Sequence, residues 1–405
     1  MKFNKNIVGW IFYDFANSSF TTIIVTVIYS VYFKNVVAGG GERATALWGR
    51  AVSLSLLLVA ISSPILGAVA DFSRTKKKFL FLNCYLTVIF TSLLYYVGSG
   101  DIFLGLLFFI IANFGFNSGN VFYNAFLPEI STEKNIGKIS GFGYALGYVG
   151  GLISLFICLP LVKIDVRLVF PSVGLFFGIW AIVTFILLKE KRFTSKRTNY
   201  VKTAYNRIKY TLKNLKKYKN LSKFLLSYFI YNDAIVVVIS FSSIYGATQF
   251  GMDFNQLILF FIFAQLTSIL GSAFFGIILD KIGAKKTINI TLVMWIAIVF
   301  WVFFCRSLFE YYFVGLAAGV AIGSSQSASR TLLAKLTPPE KSAEFFGFYA
   351  FTGKFSSIFG PLVYGEIARI TGSQRYSVLS IVVFFIVGFF IFQSVKDQKV
   401  KSIVK

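Results

Sequence analysis

The stretch GAVADFSRTKKK, Gly67 to Lys78, returns later in the chain as FGIILDKIGAKKT, Phe275 to Thr287. In both copies an aspartate ends an apolar run and a basic cluster follows, and the two aspartates, Asp71 and Asp280, stand 209 positions apart. A second pair keeps nearly the same offset: EKNIGKISGFGYALG, Glu133 to Gly147, against EKSAEFFGFYAFTGK, Glu340 to Lys354, with leading glutamates 207 apart. Two independent matches at nearly one offset, about half of the 405 residues, read as an internal duplication.

What is duplicated is apolar. Hydrophobic residues make up 56% of the chain and charged residues 14%, against about 25% charged in a soluble domain. A hydrocarbon layer about 30 Å thick needs about 20 apolar residues per helix. That unit recurs at 7–33, 47–70, 79–98, 102–124, 139–162 and 168–188, then at 222–245, 255–279, 287–306, 310–334, 344–369 and 375–395. The expectation is an all-α integral membrane protein of twelve transmembrane helices in two pseudo-symmetric six-helix bundles. The bundles occupy 1–188 and 222–395, joined by a basic linker, 189–221, and followed by a basic tail, 396–405. The first run carries Asp14 and Asn17 and no small-residue cleavage site, so it is a retained helix and not a signal peptide.

The charges report orientation. Lys and Arg number 40 against 16 Asp and Glu. With the N-terminus cytoplasmic, 30 basic residues fall in cytoplasmic segments and eight on the other side, which by the positive-inside rule puts both termini in the cytoplasm. The basic excess is therefore a topology signal and not a nucleic-acid surface. Thirteen basic residues lie between Lys189 and Lys223 with one acid, Glu190; they read as a solvated linker, with anionic-lipid binding as the alternative. The chain has no histidine, which removes His triads and His metal ligands. Cys84, Cys158 and Cys305 sit singly inside apolar runs and read as packing residues. No GxxxxGK[ST] loop is present, so nothing in the chain supports ATP drive. No cofactor or metal is expected, nor an enzymatic activity.

Both aspartate turns are similar to the signature of the major facilitator superfamily, in which Gly, Asp and a basic cluster lie between helices 2 and 3 and again between 8 and 9. Asp280, Lys281, Gly283, Lys285 and Lys286 fit well; in the first copy Arg74 stands where the superfamily usually has glycine. WIFYDFANSSF (Trp10 to Phe20), FYNAFLPEI (Phe122 to Ile130), SGFGYALGYVGG (Ser140 to Gly151), SSQSASR (Ser324 to Arg330) and EFFGFYAFTGKFSSIFGP (Glu344 to Pro361) resemble the vacuolar effluxer branch of that superfamily. The resemblance implies a secondary transporter with amino acids as the favoured substrate. It also implies that Asp71, Arg74, Asp280 and Lys285 form a cytoplasmic gate.

Ionisable groups within the hydrocarbon cost about 2.5–3.5 kcal/mol each on insertion scales, so each is a functional candidate. Asp14 and Asp233 occupy matching places in the two halves, each just after an aromatic residue. Asp14, Asn17, Ser18 and Thr21 share one helical face, as do Asn113, Asn117, Asn120 and Asn124. Both stripes are expected to line a central cavity. Gln326 and Arg330 lie on the side of the tenth span that carries Gly315, Gly319 and Gly323. Arg330 and Lys354 are the two basic residues inside the spans, fit either for a substrate carboxylate or for an ion pair; for Arg330 a pairing with Glu129, Glu344 or a helix C-terminus is equally open. Asp14, Asn17, Asn117, Asn120, Asp233, Gln326, Lys354 and Arg330 are thus the substrate- or proton-binding candidates.

The expected function is a secondary active transporter that exports a small solute, an amino acid first, by alternating access with proton coupling. The alternatives are a carrier of another small organic solute and a non-transporting receptor or scaffold. A monomer in a bacterial cytoplasmic membrane is expected, with a vacuolar membrane second.

Overall fold

The computed structural model describes residues 4–190, 218–252, 254–357 and 359–396. Most of the linker and tail, 191–217 and 397–405, lies outside the described residues, and with it the expectation of lipid binding there.

Every described regular element is a helix, as the apolar runs require. We label them α1 Lys5–Ser19, α2 Gly41–Ser73, α3 Lys76–Leu93, α4 Ile102–Ala125, α5 Ile136–Ile164, α6 Val169–Leu187, α7 Lys219–Phe250, α8 Phe254–Ile282, α9 Ala284–Phe304, α10 Leu308–Leu336, α11 Ser342–Ser356, α12 Phe359–Thr371 and α13 Gln374–Gln393. Among the described residues eleven helical segments are long and apolar enough to cross a membrane. The remaining expected span, 344–369, consists of two shorter helices, α11 and α12.

The first span is irregular. Asn4 caps α1 by accepting the Ile7 N–H at 2.9 Å, as short polar side chains do at helix starts. Beyond Ser19 the backbone widens into π-helical turns over Phe20–Val27 and again over Phe33–Val37. No proline or glycine lies in either segment, so the widening does not come from a breaker residue. Tyr29 and Tyr32, buried just past the first wide segment, donate to the carbonyls of Gly105 at 2.9 Å and Val97 at 2.7 Å.

Contacts group the chain into two compact units. The first comprises Met1–Ile130, Leu146–Lys209 and Pro339–Ala350; the second comprises Ser131–Ala145, Tyr210–Pro338 and Phe351–Lys405. The opening turns of α5 therefore belong to the second unit, and those of α11 to the first. Within the first unit α1 packs on α6, α2 on α4, and α3 on both α4 and α6. Within the second, α7 packs on α13, α8 on α10, and α9 on both α10 and α13. The pairings repeat in order, so the duplication seen in the turns extends to the helix packing.

Small residues permit the closest of these contacts. Along α10, Gly315, Gly319 and Gly323 face Phe260, Ala264 and Ser268 of α8, and a methyl at Gly319 would strike the Ala264 carbonyl. Ser268 uses the proximity to donate to the Gly319 carbonyl at 2.9 Å, an interhelical bond worth about 0.6 kcal/mol. In the first unit Trp10 stacks on Tyr123 at 4.5 Å and its indole N–H donates to the Tyr123 carbonyl at 2.8 Å. This fixes the rotation of α1 against α4 and so decides where Asp14 and Asn17 point.

Candidate functional site

In the first unit the two polar stripes meet. Asn17 of α1 donates through Nδ2 to Asn120 Oδ1 of α4 at 3.2 Å. One turn away on α4, Asn117 donates to both the carbonyl and the side-chain oxygen of Asn113, at 2.8 and 2.9 Å. Asn113 in turn donates to Ser55 Oγ of α2 at 2.6 Å. Two hydrogen-bonded groups of amides, Asn17–Asn120 and Asn117–Asn113–Ser55, thus lie along helices that are otherwise apolar, and Ser55 is a member that periodicity within α4 did not reveal. Asp14 lies one turn before Asn17, 8% exposed, with Gly147 of α5 packed against its backbone and Cβ.

In the second unit Asp233 of α7 is 2% exposed. Its neighbour Asn232 reaches the Gly353 carbonyl at 3.3 Å and Ser356 Oγ at 3.4 Å, which places the aspartate beside the end of α11 and the start of α12. Gln326 and Lys354 are half-buried, and neither makes a hydrogen bond or ion pair among the described residues. Arg330, 1% exposed, is already engaged: it donates to Ser140 Oγ at 3.0 Å and the Ser140 carbonyl at 2.6 Å, and stacks over the Tyr144 ring at 3.8 Å. These partners in the first turns of α5 were not among those expected for it.

The two turns use their aspartates alike. Asp71 accepts the Glu344 N–H at 2.8 Å in the first turn of α11. Asp280 accepts the Gly137 and Lys138 N–H groups, both at 2.8 Å, in the first turn of α5. Each carboxylate thus satisfies amides that a helix start leaves unpaired, where the helix dipole also favours negative charge. At the position usually held by glycine, Arg74 takes φ 53°, ψ 46°, and is the one non-glycine residue with positive φ among the described residues; its counterpart Gly283 has φ 92°. The positive φ is kept but the turns differ in ψ, 154° at Gly283 against the left-handed 46° at Arg74, a conformation that costs a side-chain-bearing residue about 1–2 kcal/mol.

The basic clusters part company. Lys76, 5% exposed, joins Asp71 at 3.0 Å and Glu129 at 2.5 Å and donates to Ser342 Oγ at 2.6 Å. Lys285 donates instead to the carbonyl of Gln393 at the end of α13, at 2.9 Å. Glu190 adds a cap from the start of the linker, accepting the N–H groups of Lys76 and Lys77 at 2.7 and 3.3 Å and so closing the N-terminus of α3. Burial holds the Glu190 carboxyl above the usual glutamate range, and the two N–H donors pull it partly back. Lys76, Glu129 and Glu190 were not among the expected gate residues. The sequence places Lys76 beside the turn, where which lysine points inward depends on the phase of α3, but Glu129 and Glu190 come to it from 53 and 114 positions away.

Helical packing repeated in two units, polar ladders crossing apolar spans and paired aspartate turns define a membrane transporter of the major facilitator superfamily, and the solved structures bear this out at the level of fold. The human organic anion transporter MFSD10 superposes with a TM-score of 0.76 at 15% identity, covering 96% of this chain and 99% of that one. The proton:xylose symporter XylE gives 0.74 at 14% identity, covering 98% and 96%. In sequence the chain is 29% identical to the uncharacterized MFS-type transporter YxiO of Bacillus subtilis (strain 168), over 98% of this chain and 96% of that one. It is 26% identical to autophagy-related protein 22 of Kluyveromyces lactis, over 72% and 67%. The family model "Vacuole effluxer Atg22 like" matches residues 43–403. The chain belongs to that family.

Proposed function

We propose that this transporter exports a small amino-acid-like solute by alternating access, coupled to protons, from the cytoplasm of a bacterium, with both termini cytoplasmic. The observation that carries the reading is the amide ladder of the first unit, Asn17–Asn120 and Asn117–Asn113–Ser55. Packing alone does not call for so many hydrogen-bonding groups on helices meant for hydrocarbon. Amide oxygens and the Asp14 carboxylate suit an ammonium group; amide N–H groups suit a carboxylate. In the second unit Gln326 and Lys354 supply donors that no described residue uses, and Lys354 is the group assigned to an anionic solute. Arg330 is assigned to holding the start of α5. The family's description as vacuole effluxers favours export.

The gate reading follows from the turns. Asp71 and Asp280 cap α11 and α5, and breaking or forming such caps is the kind of discrete change that a bound solute biases between two states. Lys76 joins Asp71, Arg74, Asp280 and Lys285 in this assignment.

Counterflow in proteoliposomes with a panel of labelled amino acids tests the function directly. Saturable exchange of at least one of them is expected. Flat traces for every amino acid with uptake of another organic solute discard the substrate class, and no exchange of any solute favours a receptor or scaffold. A tag near residue 206 is expected to react with impermeant reagents from the cytoplasmic side; labelling from outside reverses the orientation.

A further inference from the structure

Asp233 and α12 form an arrangement that the transport reading does not by itself require. The Asp233 carboxylate accepts the Gly360 N–H, one residue into a 13-residue helix, α12. Its Oδ1 has no hydrogen-bond partner although the residue is 2% exposed. Gly360 is what lets them meet: a methyl there would lie 2.7 Å from Oδ1 and 3.0 Å from Cγ. A buried carboxylate with one oxygen bound to a helix start and the other bare is under two opposed influences. The N-terminal N–H groups favour the charged form, and the absence of water favours the neutral one.

The surrounding charged and titratable groups leave this balance to the helix. Tyr231, on the same helix, is hydrogen-bonded to Ser329 of α10 at 2.8 Å. Arg330 of α10 is turned onto Ser140 and Tyr144. On α12, Tyr364 packs on Phe241 at 4.3 Å and Glu366 is exposed. Lys354 of α11 makes no ion pair among the described residues, and none reaches Asp233. A cation larger than a proton finds few ligands, since no group of three acidic or thiol side chains gathers there or elsewhere among the described residues, and the nearest backbone partner is a donor.

We infer that Oδ1 of Asp233 is a proton site whose occupancy is read out by the first turn of α12: the ionised acid caps that turn, and the protonated acid releases it. The inference rests on the proton-coupled reading above and adds to it the element on which the proton acts. Loss of charge weakens the bond to Gly360 and the attraction to the helix end together, so a change of one proton becomes a change in backbone order.

Hydrogen exchange of the full chain in lipid nanodiscs, corrected for intrinsic rates, tests this at about pH 5 and about pH 8. Protection of the amides of 359–362 is expected to be roughly fivefold lower at the acid pH. D233N, which cannot ionise but whose amide oxygen can still accept, is expected to show one level at both, and G360A, which pushes the carboxylate away but leaves it titratable, the low level at both. Wild-type protection that is indifferent to pH, beside accumulation that still follows a proton gradient, overturns this inference and spares the coupling. Accumulation indifferent to the proton gradient, beside pH-dependent protection at 359–362, sinks the coupling and spares the site. Accumulation that follows sodium, with sodium and not pH restoring protection, overturns both.

Discussion

In the turn after α2, Lys76 is buried between Asp71 and Glu129; in the turn after α8 the residue 209 positions on, Lys285, is half-buried and among the described residues reaches only the Gln393 carbonyl. Asp280 has no lysine at ion-pair distance among the described residues; two backbone amides, those of Gly137 and Lys138, point at its oxygens, and the charges of Lys335 and Lys138 act on it from further off. One turn is held by a buried ion pair and the other chiefly by backbone donors. Duplicated sequence has kept the aspartate caps and let the electrostatics diverge, so the two turns should differ most where charge is removed.

The largest expected effect is at Lys76. Lys76→Met strands Asp71 and Glu129 and should cost about 3–5 kcal/mol, read as a large fall in the unfolding midpoint in detergent. Lys285→Met should cost no more than about 0.5 kcal/mol. Equal losses would show that the turns are held alike after all. The comparison sharpens if Asp71→Asn with Glu129→Gln in the Lys76→Met background recovers much of the loss, because the penalty belongs to the stranded charges and not to missing packing.

Next come the backbone positions. Gly283→Ala should destabilise by about 1–3 kcal/mol, because φ 92°, ψ 154° is open to little but glycine, and Asp280→Ala by about 1 kcal/mol through the lost cap of α5. Arg74→Gly goes the other way: relief of strain, reduced by the extra freedom of glycine in the unfolded chain, should leave a gain below about 1 kcal/mol. A loss of stability there would mean that the Arg74 side chain contributes more than its backbone costs.

The smallest effect is at Glu190. Its raised folded-state value means that the folded protein holds a proton which the unfolded chain has already released. Stability from this group is therefore present at low pH and falls as the pH climbs from the ordinary glutamate value through the raised one. Glu190→Gln should flatten that slope in unfolding midpoints collected across the window; an unchanged slope would assign it to another carboxylate.

The spans, their grouping by six and the aspartate turns were legible because each is local or periodic: apolar runs of membrane length, a basic bias by side, a repeat at one offset. Asn17 and Asn120 were legible as members of two stripes, and the structure joins them. What was not legible depends on pairing between distant segments. Glu190 meets Lys76 across 114 residues, Ser55 meets Asn113 across 58, and Arg330 meets Ser140 across 190. A one-dimensional pattern carries the face a residue occupies but not the neighbour that comes to it. Lys354 and Gln326 remain as the sequence presents them, polar groups in apolar helices.

The wide π-helical turns at Phe20–Val27 set a constraint on chain length and not on composition. Each such turn takes up one residue more than an α-turn, so the segment fixes the angle between the stripe that holds Asp14 and Asn17 and the anchors at Tyr29 and Tyr32. Deleting a single residue there would turn one end of the span against the other by about 100°, carrying the carboxylate away from its partners. Exchanges of one apolar side chain for another should be absorbed easily along this stretch, while insertions and deletions should be purged.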